Sequence, residues 1–323
     1  MKRPSTSLGL VIGLFAALAF GMSGAFIKPL LEAGWSPAAA VTVRALLGGL
    51  VLLPFALVSL RGRWDTLWRG RWRVAAMGFI GVAATQLVYF ASLQRIPVST
   101  AILVEYMAPI LLVAFVWATT RRVPRWVVLA GSVVSIVGLV LVVSPGADTA
   151  LDVLGLIFAA LAAIGCAVYY VVAARPSHGL PPVALAGVGL LLGGISLGLV
   201  GLTGVLPFSF SFGLVTMGGA EMPFWIPLLL VAVVATGFSY VASITAAGML
   251  GSRLASFVGL IEVVAAAVYS WLLLGEALTV VQILGGVLIL VGIGFVRSER
   301  EPEIQDAVGV PEAVPVVEAG GSR

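Results

Sequence analysis

Apolar residues run along this chain in ten stretches of about 20, the length that crosses a bilayer as a helix, with short gaps rich in Arg, Gly and Pro between them. The stretches are Leu8–Ile27, Ala38–Leu60, Val74–Leu93, Val98–Ala118, Trp126–Ser144, Val153–Ala174, Val183–Thr203, Trp225–Ala247, Ser252–Leu274 and Thr279–Val296. The fourth breaks the uniformity, because it carries Glu105 followed by Tyr106, Met107, Ala108 and Pro109. A charge inside hydrocarbon costs roughly 3 kcal/mol on insertion scales, so Glu105 is expected to face a partner or a water-filled passage. Proline removes a backbone hydrogen bond and bends a helix. The pattern therefore predicts one kinked helix over Val98–Ala118 that lines a pathway.

The stretches repeat. Ala84, Thr85, Tyr89, Ala91 and Ser92 in the third match Ala235, Thr236, Tyr240, Ala242 and Ser243 in the eighth at one constant spacing. Leu46-Leu47-Gly48-Gly49 in the second matches Leu191-Leu192-Gly193-Gly194 in the seventh, and Gly131 and Gly138 in the fifth match Gly285 and Gly292 in the tenth. The opening of the first stretch, Leu8-Gly9-Leu10, recurs at 154–156, which makes it a repeat unit rather than a cleaved signal. Five spans per half is an odd number, so the second half is expected to cross the membrane in the opposite sense. The expected fold is an all-α integral membrane protein of ten helices in two inverted five-helix repeats, 8–145 and 153–297. A seven-residue amino-terminal segment precedes them, and an acidic, disordered tail over 298–323 follows. The glycines of the fifth and tenth spans permit close helix approach, as scaffold or dimer contact.

Basic residues fix the expected orientation. Of the 18 Lys and Arg, Arg44 lies within a span and only Lys28 and Arg95 fall in the gaps opposite to the rest, so both termini are placed in the cytoplasm by the positive-inside rule. The outer gap between Gly204 and Phe224, with Phe208, Phe210 and Phe212 alternating with serine, is expected to rest among lipid headgroups, against an alternative as an extracellular gate.

With 61% hydrophobic and 10% charged residues the chain belongs in lipid, in the cytoplasmic membrane. A net charge of +4 spread over alternate gaps gives no face for nucleic acid. Cys166 and His178 each stand alone, so neither a disulfide nor a metal site nor a hydrolytic triad is supported, and no cofactor is expected. There is no phosphate-cradling P-loop to support an ATP-driven pump within the chain.

Counting along the helices at 1.5 Å per residue places Arg44, Gln86 and Glu105 each about 10 Å below the outer boundary, where they could meet. Two readings stand: a polar chamber in which Arg44 takes a carboxylate and Glu105 an amine or proton, or an Arg44–Glu105 ion pair that only fixes the bundle. Glu262 lies about 15 Å in, near the midplane. It is a candidate proton-coupling group, or a neutral carboxyl bonded to a neighbouring helix. Tyr89, Tyr106, Tyr240 and Trp271 are candidate apolar walls, against packing or interfacial anchoring. Glu276 is expected to start the tenth helix.

These residues resemble the drug/metabolite transporter superfamily, EamA-like family. The likeness rests on Arg44, on Glu105 to Pro109 followed by Arg121, Arg122 and Pro124, on Leu260-Ile261-Glu262, and on Leu274-Gly275-Glu276. Val263 stands where many members carry proline, so the ring that would kink the ninth span is missing. The resemblance implies ten helices and secondary transport of small metabolites, often export of amino acids or related compounds. Expected partners are a small-molecule substrate, protons, the bilayer and a second copy of the chain. Competing readings are a drug or sugar-derivative carrier, a non-transporting sensor or scaffold, for which no loop is long enough to add a soluble domain, and an intramembrane enzyme, for which no nucleophile and base are paired.

Overall fold

The computed structural model describes residues 6–121, 124–143, 152–173 and 179–298. Lys2, Arg3, Arg122, Arg175, His178 and the acidic tail from 299 lie outside the described residues. The helices are α1 Thr6–Glu32, α2 Pro37–Leu60, α3 Trp64–Arg69, α4 Arg71–Ala76, α5 Thr85–Leu93, α6 Val98–Glu105, α7 Ala108–Thr120, α8 Trp126–Val143, α9 Val153–Ala173, α10 Pro182–Leu202, α11 Trp225–Leu229, α12 Ser239–Gly259, α13 Ile261–Leu274 and α14 Val280–Ser298. Wider, π-helical turns over Met77–Ala84 and Leu230–Phe238 join α4 to α5 and α11 to α12. Among the described residues, five helical runs are long and apolar enough to cross a membrane: Ser7–Glu32, Pro37–Leu60, Arg71–Leu93, Pro182–Leu202 and Trp225–Ala246. Shorter apolar helices accompany them.

Glycine decides how these helices pack, since lipid supplies no hydrophobic drive between them and close backbone approach must replace it. A Cβ on Gly49 would meet Leu191 Cγ at 2.7 Å, and one on Gly194 would meet Leu46 Cγ at 2.9 Å. Exchanging matched residues of the two halves turns either contact into the other, and the pairing runs antiparallel along α2 and α10. The crossing of α8 and α14 has the same reciprocity, for Gly131 abuts the Gly292 carbonyl and Gly138 the Gly285 carbonyl. The glycines of α8 and α14 thus meet within one chain, as the scaffold alternative of their reading has it. Gly138→Ala would set its Cβ 2.5 Å from a carbonyl oxygen. Overpacking against backbone is expected to cost roughly 1–3 kcal/mol, read as a lowered thermal transition of the detergent-solubilised protein; an unchanged transition would contradict this packing.

Two expectations need correction. The fourth span is two helices rather than one bent helix: α6 ends at Glu105, Tyr106 and Met107 fall outside, and Pro109 stands in the first turn of α7, the position where its missing N–H costs nothing. The predicted gap between spans eight and nine is helical, since α12 continues to Gly259. The chain nevertheless doubles back there, because Gly13 of α1 packs against both Ala246 and Val258, which would stand about 18 Å apart along a straight helix. The helical class gains one small addition. Leu214–Met217 and Ala220–Pro223 form an antiparallel hairpin, β1 and β2, turned by Gly218 and Gly219 at φ 61° and 77°.

That hairpin belongs to the segment expected among lipid headgroups or at an outer gate. It is bonded to the bundle. The Trp35 indole donates to the Ser211 carbonyl (2.5 Å), Ser36 N–H to the Ser209 carbonyl (3.1 Å) and Gly218 N–H to the Leu273 carbonyl (2.7 Å). Trp35 packs among Phe210, Phe212 and Phe224, with ring centroids 5.1, 6.3 and 6.0 Å away. The segment therefore caps one end of the bundle. At that same end Asp152 accepts the Gly155 N–H (2.7 Å) at the start of α9 and pairs with Arg95 (3.2 Å). The Gly155 hydrogen bond and the nearby guanidinium hold its carboxyl below the usual carboxylate range.

Candidate functional site

α1 is flanked by the polar residues of both halves. It can lie close because Gly21 and Gly24 have no side chain: a Cβ on Gly21 would be 2.8 Å from the Glu262 carbonyl oxygen, and one on Gly24 would be 3.0 Å from the Tyr89 hydroxyl. One helical position away, Ser23 accepts a hydrogen bond from Arg44 Nη1 of α2 (2.8 Å). Arg44 Nη2 donates to Gln86 Oε1 of α5 (2.8 Å), and the guanidinium sits 4.8 Å from the Phe90 ring. Only 3% of Arg44 is exposed, and its Nε has no partner. Among the described residues no carboxylate pairs with it.

The expected Arg44–Glu105 ion pair is therefore not formed. Glu105 is still near enough to act on the charge of Arg44, as are Tyr89 and Tyr240. It also feels Glu262. Every residue from Val98 to Ala108 whose surface is described is buried except Glu105, which is partly exposed. Glu105 alone thus keeps some exposure among packed helical neighbours, and it stands close enough to Arg44 and Glu262 to interact with both charges.

Glu262, in the first turn of α13, is joined to the first half by Tyr106, whose hydroxyl donates to Glu262 Oε2 (2.7 Å). The same hydroxyl is 3.2 Å from the Gly259 carbonyl. This places the residue at the break between α6 and α7 against the place where α12 gives way to α13, Leu260. The second break arises without proline at 263. It is the milder of the two, a single right-handed residue at φ −63°, ψ −21°.

The structure brings Arg44, Gln86, Tyr89, Glu105, Tyr106, Tyr240 and Glu262 into one interior region. Tyr240 meets Phe20 edge-on at 5.1 Å, and Tyr89 lies 5.9 Å from Phe90. Trp271 is not among them: 58% exposed, it sits on the outside of α13. Ser23, Phe20 and Phe90 were missed, although Ser23 is the one hydroxyl in the apolar run 8–27 and stands between two glycines. Glu276 also differs from expectation. Thr279 and Gln282 cap α14 reciprocally, Gln282 N–H to Thr279 Oγ1 (3.2 Å) and Thr279 N–H to Gln282 Oε1 (3.0 Å). Glu276 instead pairs with Lys28 of α1 and accepts the Val98 N–H at the start of α6 (2.9 Å), tying the two halves together at the capped end. Among the described residues no cluster of His, Cys, Asp or Glu could hold a metal.

Comparison with known proteins agrees with this architecture. The family model described as the EamA-like transporter family matches residues 7–144 and again 153–298. An "Uncharacterized inner membrane transporter YicL" of Salmonella typhimurium is 26% identical over 298 residues, covering 88% of this chain and 94% of its own. An "Uncharacterized transporter" of Archaeoglobus fulgidus is 26% identical over 282 residues, covering 87% and 93%. One solved crystal structure of a protein superposes with a TM-score of 0.60 at 20% identity, over 90% of this chain and 96% of that one, a likeness of fold alone.

Proposed function

Because the chain belongs to the EamA-like transporter family, matched by both of its halves, we propose that this multi-pass membrane protein is a secondary carrier of small metabolites that works by alternating access and exports amino acids or related compounds. The observation that carries the reading is Arg44: a cation 3% exposed, bonded among the described residues to neutral Ser23 and Gln86, with the carboxylates of Glu105 and Glu262 nearby but unpaired with it. A buried charge left without a counter-ion by its own chain is costly, and an arriving carboxylate would offset that cost through two parallel charge-assisted bonds. The acids on the far side suit an ammonium group or a proton. Reciprocal antiparallel contacts between matched helices support ten spans in two inverted repeats, the arrangement in which one half rocks against the other around a fixed site. With both termini cytoplasmic, the capped end is the outer one. The Glu276 bridge and the hairpin then describe a carrier closed to the outside.

Counterflow in liposomes tests this. Vesicles holding the purified protein and loaded with an unlabelled amino-acid mixture are expected to accumulate at least one labelled amino acid transiently and saturably, and protein-free vesicles none. Counterflow of labelled sugar derivatives or cationic drugs alone would replace the amino-acid reading, and absence of any counterflow would remove transport of these classes.

A further inference from the structure

Transport leaves one surface unused, the segment between α2 and α4. On one side α3 is fastened to the bundle: Thr66 is buried, and a Cβ on Gly70 would meet Leu180 at 3.1 Å. The other side is bare. Trp64, Trp68 and Trp72, spaced by four residues, are 53, 72 and 74% exposed. Three neighbouring indoles held out of the core belong at a lipid-water boundary, where an apolar body and a polar N–H are both satisfied.

Guanidinium groups are set among these rings. Arg71 lies 5.0 Å over Trp68 and 5.6 Å from Trp72, with Nη1 donating to the Trp68 carbonyl (3.2 Å). Arg61, Arg63 and Arg69 are exposed in the same segment. Asp65, the single acid between 61 and 73, is already paired with Arg69. The surface thus combines surplus positive charge with a row of exposed aromatic rings. A free anion or an acidic protein would satisfy only the charge. An acyl chain with a phosphate above it satisfies both.

We propose that this edge binds the headgroup of an anionic phospholipid, with Arg61, Arg63 and Arg71 on the phosphate and the three indoles against the glycerol and upper acyl region. A planar guanidinium matches phosphate with two parallel hydrogen bonds, and the stacked rings pre-orient that of Arg71. The claim is independent of what the carrier moves. Its test uses the full-length protein in nanodiscs of phosphatidylcholine with a minor share of phosphatidylglycerol, read by native mass spectrometry of retained lipid. The unaltered chain is expected to retain phosphatidylglycerol selectively. R61Q/R63Q/R71Q should retain about tenfold less or lower still, whereas R95Q, at the opposite end of the bundle, should match the unaltered chain. A helical circular dichroism spectrum and an unchanged thermal transition show that the variant is folded, and R71Q alone serves if the triple variant is not. Equal retention by the folded variant, equal loss in R95Q, or displacement of the lipid by millimolar inorganic phosphate would each overturn the proposal.

Discussion

Arg44→Gln is expected to cut transport of carboxylate-bearing substrates by ~100-fold, the loss of about two charge-assisted hydrogen bonds, while leaving the protein at least as stable as before. The two halves of that expectation come from one fact. Arg44 is buried with no paired carboxylate among the described residues, so on the proposed reading its charge is a burden on the empty protein and an asset only when an anion arrives. Glutamine keeps polar atoms near Ser23 and Gln86 and removes the charge. A structural ion pair would behave oppositely, because deleting one member leaves the other buried and uncompensated. Lysine should restore part of the activity, since it returns the charge without the two-pronged geometry. Counterflow and thermal unfolding measured on the same preparations decide the matter: retained transport in Arg44→Gln, or a transition lowered as far as that of a misfolded control, would refute the assigned role.

Much of this arrangement was legible in the sequence, and the reason is physical. In lipid a polar side chain is expensive, so the few polar residues in apolar runs stand out, and Arg44, Gln86, Glu105 and Glu262 do come to one region. Glycines matched between the halves likewise meet in the fold, because close approach is the main attraction available to these helices. Rings gave a weaker signal. Tyr89, Tyr240 and Trp271 look alike as apolar residues with a polar tip, yet two face inward and Trp271 faces out. Nothing in a span that is apolar all round tells which side turns to lipid.

Residues 204–224 and Glu276 were misjudged for a different reason. Their roles depend on partners more than a hundred positions away, Gly34 to Ser36 for the first and Lys28 and Val98 for the second. Local rules gave each an adequate solitary explanation, a loop among headgroups and a charge at a helix start. The break at Leu260 shows the converse. Absence of proline argued for a continuous helix, but the place that carries Glu105-Tyr106-Met107 in the first half is interrupted in the second as well. Packing at the site, rather than the ring of one residue, sustains that interruption.

Tyr106 and Glu262 set the second large expectation. The hydroxyl has one proton, with Glu262 Oε2 at 2.7 Å and the Gly259 carbonyl at 3.2 Å among the acceptors in reach. An ionised Glu262 holds that proton more strongly than a neutral one, so protonating the acid releases the hydroxyl towards the carbonyl beside the second helix break. On the proposed alternating-access reading, a proton at Glu262 would be felt at the discontinuities of both halves, where rocking would flex the chain. Glu262→Gln fixes the neutral state. It is expected to keep substrate exchange but lose acceleration by an imposed pH gradient, a drop of about tenfold or more for a coupling energy in the usual range. Tyr106→Phe should respond to the gradient more weakly than the unaltered protein while binding substrate with similar affinity, since only the link is removed. Gradient-driven flux and exchange measured in the same liposomes separate the two functions. If Glu262→Gln still follows the gradient, the role assigned to Glu262 is refuted, and Glu105, the other partly exposed acid of this region, becomes the group to replace.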